Sequence, residues 1–289
     1  MLCHYLVADH CFAIDAESRL LDELPNYAPF ETQEGAPLLF SLQVQIAALP
    51  DPEGWEMVYA ESPEADMPCI EMYRRNRQWF FLGSVNRDSE PSYAMICSDD
   101  WSSAQLFTAE YDIRFAVDNS AMLLYAFASA AKRTLLFHAS VIVRQERAFL
   151  FLGRSGTGKS THSRQWQAAF EDAELLNDDN PVVRILPDNT VRVYGSPWSG
   201  KTPCYKNKSA LVGALVQLEQ APENRIVPLR MTQAYPYILA SVSGLKMMPE
   251  MMDELYLSIA RLLELRPVYL LRCLPNPDAA RVCAQTCLP

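Results

Sequence analysis

Residues 153–160 read GRSGTGKS and fit the pattern GxxxxGK(S/T) at every fixed position. An apolar run, AFLFL, leads into this segment, and KSTHSRQWQAAF, which is compatible with a helix, begins at its lysine. A strand that ends in a glycine turn and restarts as a helix can wrap backbone N–H groups around phosphate oxygens, with the positive end of the helix behind them. Glycine is needed because a Cβ would block that inward turn. Gly153, Arg154, Ser155, Gly156, Thr157, Gly158, Lys159, Ser160 and Thr161 are therefore the expected nucleotide-binding residues. Lys159 should reach the β and γ phosphates and Ser160 should set its hydroxyl on Mg²⁺.

Charge and cysteine usage narrow the setting. With 25 basic against 35 acidic residues, a net charge of −10 opposes generic attraction to nucleic acid or to an anionic membrane surface, so neither is an expected partner. A nucleotide must be held by a local device instead. Eight cysteines in 289 residues are too sparse for a disulfide-built domain, and none form CxxC. Cys283 and Cys287 stand one helical turn apart, but no histidine cluster completes a zinc site, which leaves buried reduced thiols as the reading. The N-terminal MLCHYLVADHCFAIDAE has no basic region before its apolar stretch, and the longest nearly apolar stretch, residues 121–131, is too short to cross a bilayer. A soluble, cytoplasmic protein is expected.

Residues 1–117 read as a strand-rich domain. Runs such as PLLFSLQVQI, EMVYAES, CIEMYRRNRQWFFLGSV and YAMICSDDW alternate with turn clusters at residues 50–54, 62–64 and 86–89. At Asp118 the pattern changes, because Asp118-Asn119-Ser120 can cap a helix continuing to about Arg133. The second domain is placed at residues 118–289. It opens with LLFHASVIVRQ and AFLFLG, two strand-like runs joined by a polar hairpin turn. Beyond the glycine loop come a helix to Phe170, a hairpin across Pro187-Asp188-Asn189, a strand in SALVGALVQLE, a helix over residues 249–265, a strand in RPVYLLRC and a last helix capped at Asn276-Pro277.

Asp178 and Asp179 follow the short apolar segment LLN. A strand returning after the loop's helix would deliver them to the sheet edge where phosphates lie. One carboxylate can hold Mg²⁺ through water while the other accepts a proton from an attacking hydroxyl. The competing reading is a solvated turn, since NDDNP has strong turn composition. His138, at the end of LLFH, either faces the γ phosphate or is a satisfied structural histidine.

LLFHASVIVRQERAFLFLGRSGTGKST, followed by LLNDDNPVV, resembles the catalytic domain of HPr kinase/phosphorylase, and more closely the HPr kinase-related serine kinases. The resemblance covers residues 130–289. It implies an α/β fold: a phosphoenolpyruvate carboxykinase/HPr kinase-like P-loop nucleotide domain, here preceded by the strand-rich domain. It also implies ATP and Mg as cofactors, with Asp178, His138 and Lys159 catalytic and Ser160 and Asp179 on the metal. In the family the first acid is the base that activates a protein serine. Thr161 stands where HPr kinases usually carry glutamate, and GSPWSGKTPCYKN replaces their glycine-rich signature. In that segment Lys201, with Lys206 and the adjacent Lys208, forms a basic patch in which Lys201 would reach the transferred group; a solvated loop is the alternative. The acceptor is then a serine of a protein or peptide, or a small hydroxylated metabolite. Relatives assemble into rings, so the resemblance also implies a homo-oligomer.

Overall fold

The computed structural model describes residues 1–33, 37–60, 68–200, 202–243 and 252–288. Among these residues the chain is a mixed α/β protein with two nine-stranded sheets and six α-helices. It divides into two units, Met1–Ser129 and Ala130–Pro289. The turn expected at residues 62–64 and Lys201 lie outside the described residues, as does the start of the helix expected from residue 249.

The first unit carries β1 (Leu2–Val7), β2 (His10–Asp15), β3 (Glu31–Thr32), β4 (Leu38–Ile46), β5 (Glu56–Ala60), β6 (Cys69–Arg75), β7 (Gln78–Ser84), β8 (Tyr93–Ser98) and β9 (Ser103–Thr108), with helices α1 (Ser18–Leu21) and α2 (Ile113–Ser129). Their order in the sheet is β3-β1-β2-β4-β9-β8-β7-β6-β5. CIEMYRRNRQWFFLGSV forms both strands of one hairpin, turning at Asn76, whose φ of 55° is one that asparagine tolerates. Helix α2 packs on β4 and β9 and starts at Ile113, ahead of the expected cap at Asp118. The capping residues are occupied otherwise: Asp118 Oδ1 accepts from Asn26 Nδ2 at 2.9 Å, and Asn119 Nδ2 donates to the Phe115 carbonyl. The helix containing Asp118 thus belongs to the unit Met1–Ser129.

The second unit contains β10 (Thr134–Leu136), β11 (Ser140–Arg144), β12 (Arg147–Leu152), α3 (Lys159–Ala169), β13 (Glu174–Asn177), β14 (Val182–Ile185), β15 (Val191–Tyr194), β16 (Ser209–Gln220), β17 (Arg225–Pro228), α4 (Met231–Ser241), α5 (Met252–Leu265), β18 (Val268–Cys273) and α6 (Pro277–Cys287). The main path is β10-β14-β15-β16-β12-β11-β13, and β18 joins β16 and β17. β12 pairs parallel with β16 and antiparallel with β11. Ala148, Phe149, Leu150, Phe151 and Leu152 are fully buried, as a central strand covered on both faces requires, which is why the segment reads as an unbroken apolar run. The β11–β12 hairpin turns on Gln145 and Glu146, at φ 51° and 62°, a two-residue turn that matches strand twist. Asn276 caps α6 by accepting from the Ala279 N–H, as its position before Pro277 predicts.

The expected single run LLFHASVIVRQ is two strands. β10 pairs with β14, whereas β11 pairs with β12 and β13. Between them the Phe137, His138 and Ala139 N–H groups donate to the Pro181, Ser241 and Asp179 carbonyls, at 3.0, 2.7 and 2.9 Å. Apolar continuity hides a change of partner imposed from distant parts of the chain.

Helix α3 is clamped under β12 by Trp166, which is fully buried and stacks on Phe149 with ring centroids 5.0 Å apart. Its indole Nε1 donates to His162 Nε2 at 3.1 Å. Burial pushes the His162 imidazole down to about 4 from the ordinary 6.5. Between those values the unfolded chain takes up a proton that the native state refuses, so stability should fall as pH falls from 6.5 toward 4. The contribution lost is on the order of 3 kcal/mol. Urea unfolding at pH 7, 5.5 and 4 should show a shallower decline for His162→Gln, whose amide oxygen can still accept from the indole. Equal slopes for wild type and variant would mean that His162 is not responsible.

Candidate functional site

Parallel pairing sends β12, β16 and β18 in one direction, so the C-terminal ends of these strands, at Leu152, Gln220 and Cys273, gather on one sheet edge. β13 runs antiparallel to β11 and ends at Asn177 on that same edge. It lies beside β11, one strand removed from β12, yet still delivers Asp178 and Asp179 to the glycine loop. Open α/β sheets place ligands at such an edge.

The loop leaves β12 with Gly153 at φ 151°, where an added Cβ would sit 3.0 Å from Thr157 Cγ2. It re-enters α3 through Gly158, whose φ of 108° and ψ of 23° only glycine adopts without strain. Lys159 Nζ folds back over the loop and donates to the Gly153 carbonyl at 2.9 Å and the Arg154 carbonyl at 3.4 Å. Burial lowers the Lys159 pKa, while the charges of Asp179 and Asp178 act in the opposite direction. Arg154, Ser155 and Gly156 are exposed along the loop, and Ser160 and Thr161 occupy the first turn of α3 half-buried.

The carboxylate pair is not a solvated turn. Asp178 is 8% exposed, and its Oδ1 accepts from the Ser140 hydroxyl at 2.6 Å. Asp179 Oδ1 lies 3.0 Å from His138 Nδ1, its Oδ2 accepts from Asn180 Nδ2, and its backbone N–H donates to Asn177 Oδ1. Asn177 itself is buried and donates to Ser196 Oγ and the Trp198 carbonyl. The segment after β15 therefore braces the pair from below, and a Cβ on Gly200 would come within 3.2 Å of Asp179 Cβ. Trp198 is buried there.

Of the basic patch, Lys206 and Lys208 belong to the described residues and Lys201 does not. Lys206 and Lys208 both pair with Glu174 Oε1, at 2.8 and 2.9 Å, and Lys206 also donates to the Leu175 carbonyl. Their charge is spent at the start of β13, away from the glycine loop. The cysteines are all free thiols, and burial raises the pKa of Cys97 and Cys283 well above the ordinary value.

Two clefts flank the loop. One, of about 870 Å³, is lined by His138, Gly153 to Thr157, Gln217 to Gln220 and the α4 residues Pro236, Tyr237, Ala240 and Ser241. The other, of about 550 Å³, lies beyond Thr161 between Leu218, Ala221, Cys273, Leu274 and Pro275. Sequence reasoning missed α4, because Pro236 reads as a helix breaker; Gln233 nevertheless closes its first turn by accepting from the Arg230 N–H. It also missed Gln220, whose amide donates to the Gly156 and Thr157 carbonyls, and Ser140, which holds Asp178. The end of SALVGALVQLEQ would have pointed to Gln220 had its parallel pairing with β12 been apparent.

No helix among the described residues is long and apolar enough to cross a membrane. No family model matches the sequence, and no curated protein matches it. Among solved structures, the chain is similar to the Hpr(Ser) kinase/phosphatase from Coxiella burnetii, at 13% identity and a TM-score of 0.32, over 52% of this chain and 94% of that one.

Proposed function

We propose that this chain is an ATP- and Mg²⁺-dependent phosphotransferase of the HPr kinase-related type, with the corresponding P-loop nucleotide fold in its second unit, that phosphorylates a hydroxyl, in the first instance a serine of a protein or peptide. One observation carries the reading: the glycine loop, Lys159, His138 and the Asp178-Asp179 pair, separated in sequence, meet at one sheet edge. The loop fits the group it would hold. A Cβ added at Gly156 or Gly158 would meet nothing within 4 Å, and Lys159 is already folded over the loop mouth. Ser160 and Asp179 would hold Mg²⁺, which is commonly bound through one or two protein groups and the phosphates.

The position of Lys159 and the carboxylates orients the nucleotide. Gly153 to Ser155 and His138 would face the γ phosphate, Thr161 would stand by the α phosphate, and the cleft beyond Thr161 would take the nucleoside. The larger cleft at His138 and Tyr237 then receives the acceptor. MgATP supplies the phosphoryl group and the divalent charge. Asp178 takes the hydroxyl proton as the acceptor oxygen bonds to phosphorus and the bond to the β-phosphate oxygen breaks, releasing ADP. Lys159 and the loop amides hold the leaving phosphates, and His138 keeps Asp179 in place.

The test is incubation of the purified full chain with γ-labelled ATP, Mg²⁺ and a lysate of its own host. A labelled protein or peptide carrying phosphoserine is the expected product, and a labelled small molecule would move the acceptor to a metabolite. ATP binding with no labelled product would instead make the chain a nucleotide-responsive binding protein.

A further inference from the structure

Ser140 and Ser163 are buried, at 0% and 1% exposure, and their hydroxyl oxygens lie 2.6 Å apart. A serine hydroxyl has one proton to give. Ser140 gives its own to Asp178 Oδ1, 2.6 Å away. The bond between the two serines therefore runs one way, from Ser163 to Ser140. A serine inside a helix ordinarily bonds back to the carbonyl one turn earlier; Ser163 reaches across to β11 instead. Nothing in the packing of this apolar layer, where Ile142, Phe151 and Trp166 are fully buried, calls for two hydroxyls, since alanine would fill such positions without polar atoms to satisfy.

The spacing adds a second point. His138 and Ser140 are alternate residues, and each faces one member of the acidic pair: His138 faces Asp179, and Ser140 faces Asp178. The Ala139 N–H bonded to the Asp179 carbonyl lies between them as a pivot. Because Ser163 lies one turn beyond Lys159 on α3, the helix that carries the lysine is also tied to the carboxylate.

We propose that Ser163 and Ser140 form a directed hydroxyl chain that positions Asp178, fixing Oδ1 and leaving Oδ2 to face the acceptor hydroxyl. This rests on the assignment of Asp178 as the base. Both serines are positioning residues, because neither touches the reacting atoms. Hydrogen bonds in such a chain polarise one another, so losing the far member weakens the near bond.

The experiment measures Mg·ATP binding by calorimetry and turnover of γ-labelled ATP, to water or to the lysate acceptor, for the full chain and its variants. Ser140→Ala is expected to lower kcat by about 10- to 100-fold, the scale of a misplaced reacting group, with the Mg·ATP dissociation constant within about twofold of wild type. Ser163→Ala should lose less. The double variant should be no slower than Ser140→Ala alone, because without Ser140 the Ser163 hydroxyl has nothing to pass on. Losses that multiply, or an unchanged kcat in Ser140→Ala, would overturn the proposal. If Ser140→Ala fails to fold by circular dichroism, Ser163→Ala decides: a fall in kcat with unchanged ATP binding supports the chain, and wild-type kcat refutes it. Wild-type turnover in Asp178→Asn would instead remove the base assignment itself, a failure separable from that of the serines.

Discussion

Asp178→Asn is expected to lower phosphoryl transfer by about 10²- to 10⁴-fold, the range contributed by a positioned proton acceptor. The substitution preserves shape, and the amide oxygen can still accept from Ser140, so the buried bond at 2.6 Å survives. What is lost is the capacity to take a proton. ATP binding should therefore persist near its wild-type strength, and kcat should carry the whole effect. Steady-state turnover of γ-labelled ATP together with an independent binding isotherm separates the two quantities. Loss of binding equal to the loss of rate would mean that Asp178 acts on the nucleotide and not on the acceptor.

Lys159→Ala should act on both quantities. The ammonium is held over the loop by the Gly153 and Arg154 carbonyls and lies in the field of Asp178 and Asp179. Bound phosphates would compete with those carbonyls for its protons and add charge-assisted hydrogen bonds. Removing it should weaken Mg·ATP binding at least about tenfold and cut turnover by a further 10²-fold or so, the scale of a lost group that stabilises developing charge. The fold should be unaffected, since the side chain is only half-buried and leaves no large apolar cavity. An unfolding midpoint equal to wild type, measured beside the binding isotherm, separates loss of function from loss of structure. Retention of full turnover would remove the lysine from the mechanism.

What the sequence made legible is what local chemistry dictates. GRSGTGKS had to be glycine-rich to bend as it does at Gly153 and Gly158, and Asn276-Pro277 announces a helix start because the cap is made within three residues. The acidic pair was found from its place behind the loop. The features that escaped are decided by partners remote in sequence. Nothing near Ser140 announces Asp178 or Ser163, and the division of LLFHASVIV into two strands depends on carbonyls of Asp179, Pro181 and Ser241. Asp118-Asn119-Ser120 has the composition of a cap, but a helix can run through such residues when a tertiary partner such as Asn26 takes the carboxylate. Lys206 and Lys208 looked available because Glu174, which neutralises them, comes from a strand that the sequence signals only weakly.

The residues given roles above all belong to the second unit. The first unit's described strands form a sheet whose core includes the fully buried aromatic residues Phe12, Phe40, Phe80 and Phe81. All the groups assigned to nucleotide and proton transfer come from residues 138–179, with the flanking clefts built by residues 217–241 and 273–275.

Amide hydrogen exchange of the full chain with and without Mg·ATP tests the central claim most directly, because it reads the loop N–H groups themselves. Protection should rise at residues 154–161 on adding Mg·ATP, and the rise should be absent in Lys159→Ala at the same nucleotide concentration. Unchanged exchange across those residues under saturating nucleotide, or protection confined to another part of the chain, would contradict it.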